Sequence, residues 1–311
     1  MDKGVILFGA GTMSEKVYRR LEKQVKAVID NDTSKVGNMI WDNVPIISLE
    51  CYKEKYQNLP IIISTFHNQE VVDQLKKNNI TNYSCAPELW KSGEVSISKN
   101  ISHSNWSTYL KKLCDRDGMD VLEVGSRVVT GICFRDVFEK ANYVGFDYYA
   151  GDNVDVVGDA HKLSQYFNKK FDLIFSSAVF EHLAMPWQVA LEMIKLLKPG
   201  GYIFVETHYS YSSHERPWHF FQYSENALNV LFPEKFGITC LEKGCSNLIE
   251  GCFSQEASDY LKGRIVPDLY CHSEFLGQKT KDVPENELTW NGITLEDVVG
   301  STRYPIKKET K

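Results

Sequence analysis

The chain has 311 residues, of which 43% are hydrophobic and 24% charged, with a formal net charge of -6 and a pI near 5.8. That length supplies one large domain or two ordinary ones, each with its own core. The acidic balance argues against a surface built for nucleic-acid phosphates, and no apolar run nears the roughly 20 residues of a membrane span. The N-terminus, MDKGVILFGAGT, enters a strand directly with no signal-peptide pattern. None of the eight cysteines forms a C-x-x-C pair, Cys245 and Cys252 in CSNLIEGC included. Free thiols in a reducing cytoplasm are therefore expected, with a small-molecule partner.

Gly4 to Ala10 (GVILFGA) reads as a buried strand running into GAGTMSEKVYRRL. Gly9 and Gly11 take the first two places of G-x-G-x-x-G and Ser14 the third; small residues keep such a turn tight and the next helix close. Leu7, Phe8, Val17, Tyr18 and Leu21 supply the apolar spacing of a helix on a sheet. VKAVID ends on Asp30 about twenty residues later, where a dinucleotide fold sets its ribose-binding carboxylate. A turn-rich segment, a short strand and a helix start at Ser48 follow. A core strand over Ile61–Phe66, a helix over Gln69–Asn78 and an edge strand at Ile80–Tyr83 complete a small α/β unit over residues 1–90. With Gly9-Ala-Gly11, AVIDND and VPIISLE, this unit resembles the small Rossmann-like domains attached to sugar-modifying enzymes, at the front of some sugar acyltransferases and within some sugar methyltransferases. The resemblance leaves its ligand open: a nucleotide sugar, a nicotinamide cofactor, or none in a structural or oligomerising module.

Residues 91–104 (KSGEVSISKNISHS) are polar and serine-rich and read as a linker. Trp106, Tyr109, Leu110 and Leu113 then fall at helical spacing, so a helix starting near Asn105 opens a second domain over 105–311. Core packing is the expected job of these four; an aromatic lid is the alternative.

The stretch from Met119 to Asp159 has the order of a nucleoside-binding βαβ unit: strand, glycine turn, helix, and a strand closing on an acid. Its first strand ends in Glu123, with Gly125 and Gly131 following in E-x-G-x-x-x-x-x-G spacing. A carboxylate there repels a pyrophosphate and suits an ammonium and a sulfonium, both present in S-adenosylmethionine. The wording VLEVGSR resembles motif I of class I S-adenosylmethionine-dependent methyltransferases, close to a polysaccharide-associated subgroup, with Ser126 in place of the usual glycine. The resemblance implies a mostly parallel Rossmann-like sheet with an antiparallel last strand. It also implies a cofactor site made by Glu123, Gly125, Ser126, Arg127, Gly131, Asp147, Tyr148, Asp159, Ala160 and Ser176. In it Asp147 would accept the ribose hydroxyls, and Asp159 with the Ala160 backbone would read adenine. FDLIFSSAVFEHL supplies the fourth strand, LLKPGGYIFVETH the fifth, and ITCLEKG and DLYCHSEFLGQK the closing pair. The segment between that pair is an insertion available to cover the site.

Methyl transfer to a hydroxyl needs alignment and a base within hydrogen-bond reach. Four of the eight histidines lie between His182 and His219, in loops at the carboxyl edge of the sheet, where open α/β folds bind ligands. His208 and His214 are the favoured bases and His182 a third candidate, whose competing role is packing the loop. Glu206 and Glu215 are lesser carboxylates. The same histidines with Glu206 would suit a metal, but no E-x-x-H or H-x-x-x-H pair is present, and none is assigned. The expectation is a cytoplasmic enzyme that O-methylates a sugar or sugar-linked molecule of a surface glycan. N- or C-methylation of another metabolite, a non-catalytic cofactor-binding partner, and redox chemistry on Gly9, Gly11 and Asp30 are the alternatives. Homo-oligomerisation is left open.

Overall fold

The structure, a computed structural model, describes residues 4–65, 68–86, 91, 93–129, 131–254, 256–258, 260–261 and 265–299. Two compact units emerge, Met1–Glu94 with Ile249–Leu269, and Val95–Leu248 with Tyr270–Lys311. The inserted segment between the last two long strands thus groups with the first unit. Phe66 and the tail beyond 299 lie outside the described residues.

In the first unit, β1 (Val5–Phe8), α1 (Thr12–Leu21), β2 (Val25–Ile29), β3 (Met39–Ile40) and β4 (Val44–Ile47) precede α2 (Leu49–Lys55). Then come β5 (Ile61–Ile63), α3 (Asn68–Lys77) and β6 (Tyr83–Cys85). Ser48 caps α2 by accepting from the Cys51 N–H at 3.2 Å. The sheet order is β3-β4-β2-β1-β5-β6. All of its pairs are parallel except the β3–β4 edge. The strands are short apolar runs because helices cover both faces, giving one core around Ile6, Phe8, Ile29 and Tyr52 and another around Leu7, Val17 and Val28. The edge strand expected at Ile80–Tyr83 forms three residues later, since Ile80 packs against the core from the preceding turn.

The second unit begins before the expected helix. Ile97 bridges to Cys245, Ser98 Oγ donates to Glu274 at 2.6 Å, and the Lys99 and Asn100 N–H groups donate to Glu242. From Val95 on, the polar segment 91–104 is therefore pinned, Ser98 and the Lys99 and Asn100 N–H groups satisfying buried or half-buried carboxylates. The unit continues with α4 (Trp106–Cys114), β7 (Asp120–Val124), β8 (Asn142–Asp147), β9 (Val156–Val157), β10 (Phe171–Ser177), α5 (Pro186–Leu196), β11 (Leu197–His208) and α6 (Glu225–Leu231). β12 (Ile238–Leu248) follows; a hairpin of β13 (Gly251–Cys252) and β14 (Ile265–Val266) lies in the segment that groups with the first unit. β15 (Tyr270–Lys279) and α7 (Leu295–Val299) close the chain. The seven strands run β12-β15-β11-β10-β7-β8-β9. β15 is antiparallel to both its neighbours and the remaining pairs are parallel. The fold is an α/β Rossmann-like fold with its last strand reversed.

Trp106 is 2% exposed and stacks on Phe204 at 4.9 Å between ring centroids, so the lead-in helix packs the core rather than lidding a site. One expected element is missing: among the described residues a single 3-10 turn, Phe134–Val137, stands between β7 and β8 where a helix was anticipated. Gly125 and Gly131 both have positive φ, 88° and 85°, and the β-branched Val128, Val129 and Ile132 between and beyond them are poor helix formers. Among the described residues no helix is long and apolar enough to cross a membrane. The cysteines whose side chains are described are all free thiols.

Candidate functional site

In the second sheet the chain order reverses between β7 and β10, so a crevice opens at their carboxyl ends, where open α/β sheets bind ligands. The loop after β7 is held there by its glycine. At Gly125 a Cβ would lie 2.1 Å from Val179 Cγ2, and the Gly125 N–H donates to the Phe146 carbonyl at 2.8 Å. Gly131 meets no neighbour; its glycine serves the positive φ alone.

Glu123 does not face the crevice as the sequence suggested. It is 4% exposed and accepts from Tyr143 Oη and from Asn153 Nδ2 at 3.2 Å. Burial pushes its carboxyl up to about 8, against the pull of the Asn153 hydrogen bond and the Arg135 charge. A carboxyl raised that far holds its proton near pH 7 and offers an ammonium or sulfonium no charge. A residue at the end of a parallel strand alternates faces, and this one points to the Tyr143 side.

Ser176 is fully buried, its Oγ donating to the Val124 carbonyl at 2.9 Å. Ser126 is 3% exposed and donates to the Asn153 carbonyl at 3.0 Å. Both hydroxyls tie strands and loop together instead of presenting themselves to a ligand. Asn153, which nothing in the sequence singled out, is the hub: its Nδ2 reaches Glu123, the Ser126 carbonyl and Tyr143 Oη, and its Oδ1 accepts from Arg135.

Asp147 closes β8 and accepts from the N–H groups of Arg127 at 3.1 Å and Tyr149 at 3.0 Å. Arg127 Nε lies 3.6 Å from Asp147 Oδ1 and has no hydrogen-bond partner. Tyr148 stands 63% exposed beside it, edge-on to Tyr149. After β9, Asp159 accepts from the His161 N–H at 3.0 Å and from His161 Nδ1 at 2.7 Å. Burial works to raise its carboxyl, but those bonds outweigh it and hold the group below the usual range. Ala160 follows as the first residue of a 3-10 helix.

The histidines converge. The rings of His182 and His214 are 4.9 Å apart, those of His208 and His214 5.4 Å, and those of His214 and His219 4.7 Å. Parallel pairing of β10 with β11, with Ser177 opposite Glu206, brings the loop after one strand beside the end of the other. The carboxylate at their centre is Glu181, which the sequence did not indicate. It is 0% exposed, with Oε1 2.8 Å from His208 Nδ1 and Oε2 accepting from Thr207 Oγ1 at 2.6 Å. Burial acts to raise it, and the His208 and Thr207 contacts more than compensate. Glu206 is engaged elsewhere, by His103 Nδ1 and Ser177 Oγ, each at 2.9 Å. Glu215 sits in the loop at positive φ. Around the cluster Tyr211, Trp218 and Phe220 are exposed.

In the first unit, Gly9 has a φ of 103° and Gly11 is the N-cap of α1. Asp30 Oδ2 accepts the Ala10 N–H at 2.7 Å and Oδ1 the Asp32 N–H at 2.8 Å. The carboxylate and a loop N–H thus satisfy each other. Ser14, in the third glycine's place, is fully buried and bonds Gly9 O and the Ser64 backbone and side chain. A cavity of about 410 Å³ opens there, lined by Gly9, Gly11, Asp30, Lys35, Thr65 and neighbouring residues.

Residues 101–243 match the family model of a methyltransferase domain. No curated protein matches the chain. Among solved structures, the plantazolicin methyltransferase BamL is 19% identical, covering 56% of this chain and 82% of its own, with a TM-score of 0.40. An S-adenosylmethionine-dependent methyltransferase of Aquifex aeolicus is 17% identical over 55% and 88%, with a TM-score of 0.36. The Burkholderia thailandensis 1,6-didemethyltoxoflavin-N1-methyltransferase is 13% identical over 56% and 76%, with a TM-score of 0.40. None is near enough for its acceptor to be read across.

Proposed function

We propose that this chain, whose residues 101–243 match a methyltransferase-domain model, uses S-adenosylmethionine to methylate a hydroxyl of a sugar or sugar-linked small molecule. The donor set fits the cofactor: a carboxylate, Asp147, ends the second strand beside an Arg127 Nε that has no hydrogen-bond partner. A glycine whose Cβ would collide with Val179 shapes the loop. When bound, S-adenosylmethionine supplies an electrophilic methyl group. Asp147 holds the ribose, with Tyr148, Asp159 and the Ala160 backbone flanking the base; Gly125, Gly131 and the Ser126–Arg127 backbone shape the turn. Glu123, Ser126 and Ser176 act from beneath by fixing that turn.

The observation that carries the hydroxyl reading is the convergence of His182, His208 and His214 at the carboxyl edge of the sheet. An amine acceptor can shed its proton after transfer, whereas a hydroxyl gains from a base in place. His182 Nδ1 lies 3.0 Å from the Trp218 carbonyl. A carbonyl only accepts, so Nδ1 carries the proton and Nε2 keeps the lone pair that takes the hydroxyl proton. Exposed Tyr211, Trp218 and Phe220 offer apolar faces for a sugar ring next to polar groups. The cavity of the first unit leaves room for a second small ligand there, beside an Asp30 already engaged by its own loop.

The test is incubation with methyl-labelled S-adenosylmethionine and sugar-containing small molecules from cells lacking the gene. After acid hydrolysis the label is expected in a methylated monosaccharide. His182→Ala should keep cofactor affinity and slow transfer by about 10²–10⁴. Label recovered in an amine, a carbon-methylated product or protein would overturn the reading.

A further inference from the structure

Two buried polar atoms in the second unit face each other without completing a hydrogen bond. Glu181 Oε1 and His208 Nδ1 are 2.8 Å apart, yet their alignment does not make a hydrogen bond and neither has another partner. Glu181 is 0% exposed and His208 8%. Orphaned buried groups of this kind are costly unless something else satisfies them. A third side chain completes the arrangement: ligand atoms of Glu181, His208 and His214 all lie within 4.8 Å of one another.

Tautomers sharpen this. His214 Nδ1 lies 3.0 Å from the Ser212 carbonyl, so it carries the proton and Nε2 is left as a bare lone pair. That is the support a metal-binding imidazole takes from its surroundings. Glu181 is oriented in the same manner, with Thr207 Oγ1 donating to its other oxygen. His219 is excluded from the set, because its Nδ1 accepts the His214 N–H at 3.2 Å. It fixes the backbone of a ligand without being one.

We infer that Glu181, His208 and His214 form a binding site for a divalent transition metal of the zinc class. Two imidazoles and one carboxylate are borderline donors that suit such an ion, and three protein ligands leave a position for an oxygen of the acceptor. This rests on the hydroxyl reading for its purpose: the ion polarises the acceptor hydroxyl and eases loss of its proton, while His182, with its own lone pair, receives it. The absence of helical ligand pairs hid the site in the sequence. Its ligands come from a loop after β10, the end of β11 and the loop beyond.

The full chain, stripped with a chelator and dialysed, is titrated with Zn²⁺ by calorimetry and with Co²⁺ by visible absorption. One ion per chain is expected, with a Co²⁺ spectrum of nitrogen and oxygen ligation. His214→Ala, in a half-buried loop position, should weaken binding about a hundredfold or more, Glu181→Gln similarly, and Thr207→Val about tenfold. S-adenosylhomocysteine affinity should hold in each, which shows the variants are folded. No stoichiometric ion in the wild type, or equal affinity in His214→Ala, overturns the site. Metal bound as expected while label enters an amine leaves the site standing and removes the hydroxyl reading; hydroxyl methylation at full rate by metal-free protein overturns the ion's part in the transfer.

Discussion

Replacing Glu123 by glutamine separates burial from charge at the centre of the cofactor loop. The glutamine oxygen can still accept from Tyr143 and Asn153, so the packing is retained. The carboxyl is raised from 4.5 to about 8, a difference of about 3.5 pH units, and at about 1.4 kcal/mol for each this amounts to at most ~5 kcal/mol. The sign follows from proton counts. Between pH 4.5 and 8 the unfolded chain has lost this proton and the folded one keeps it, so stability falls as pH rises through that window. Glutamine has no proton to lose. Urea unfolding of both proteins at pH 5, 7 and 8.5, followed by tryptophan fluorescence, should give similar stabilities at pH 5. At pH 8.5 the variant should be the more stable, by several kcal/mol. Other titrations cancel in the difference at each pH. A gap that does not change with pH would refute the burial of a neutral Glu123.

Gly125→Ala combines a positive φ with a Cβ 2.1 Å from Val179 Cγ2; thermal unfolding should fall by about 1–3 kcal/mol in stability, and adding Val179→Ala should recover the steric part only. In the first unit, Ser14→Gly restores the glycine of the dinucleotide pattern but deletes buried hydrogen bonds to Gly9 and Ser64. It should therefore destabilise by about 1–3 kcal/mol, and a gain in stability would contradict the stapling role. Trp218→Ala should raise the acceptor KM by up to about tenfold without moving S-adenosylhomocysteine affinity, as read by steady-state kinetics and calorimetry.

The buried strands were legible because apolar runs such as FDLIF and YIFVE suit a sheet covered on both faces, and the reversed closing strand was legible only through the resemblance carried by VLEVGSR and the motifs after it. Asp147 and the glycines were legible for a similar reason, since chain ends and positive φ values fix which residue types work. Side-chain direction was not. Glu123 reads as an open carboxylate in sequence, and only the position of Tyr143 on the next strand and Asn153 ten residues on turns it inward. The missing helix after Gly125 was signalled by Val128, Val129 and Ile132, a local preference that the βαβ template overrode. His208 and His214 were visible as part of a histidine-rich stretch; Glu181 was not, because its partner lies across two strands and 27 residues away in sequence. Segment 91–104 looked like a linker by composition, whereas Ser98 and the Lys99 and Asn100 N–H groups answer the carboxylates of Glu274 and Glu242.

In the proposed site the carboxyl edge of the seven-stranded sheet holds S-adenosylmethionine through Asp147. Calorimetry of the full chain with S-adenosylhomocysteine tests it most directly. The wild type should bind one molecule per chain, and Asp147→Ala should bind about a hundredfold more weakly, the loss of two hydrogen bonds to a charged acceptor. No binding by the wild type, or equal binding by the variant, would contradict it.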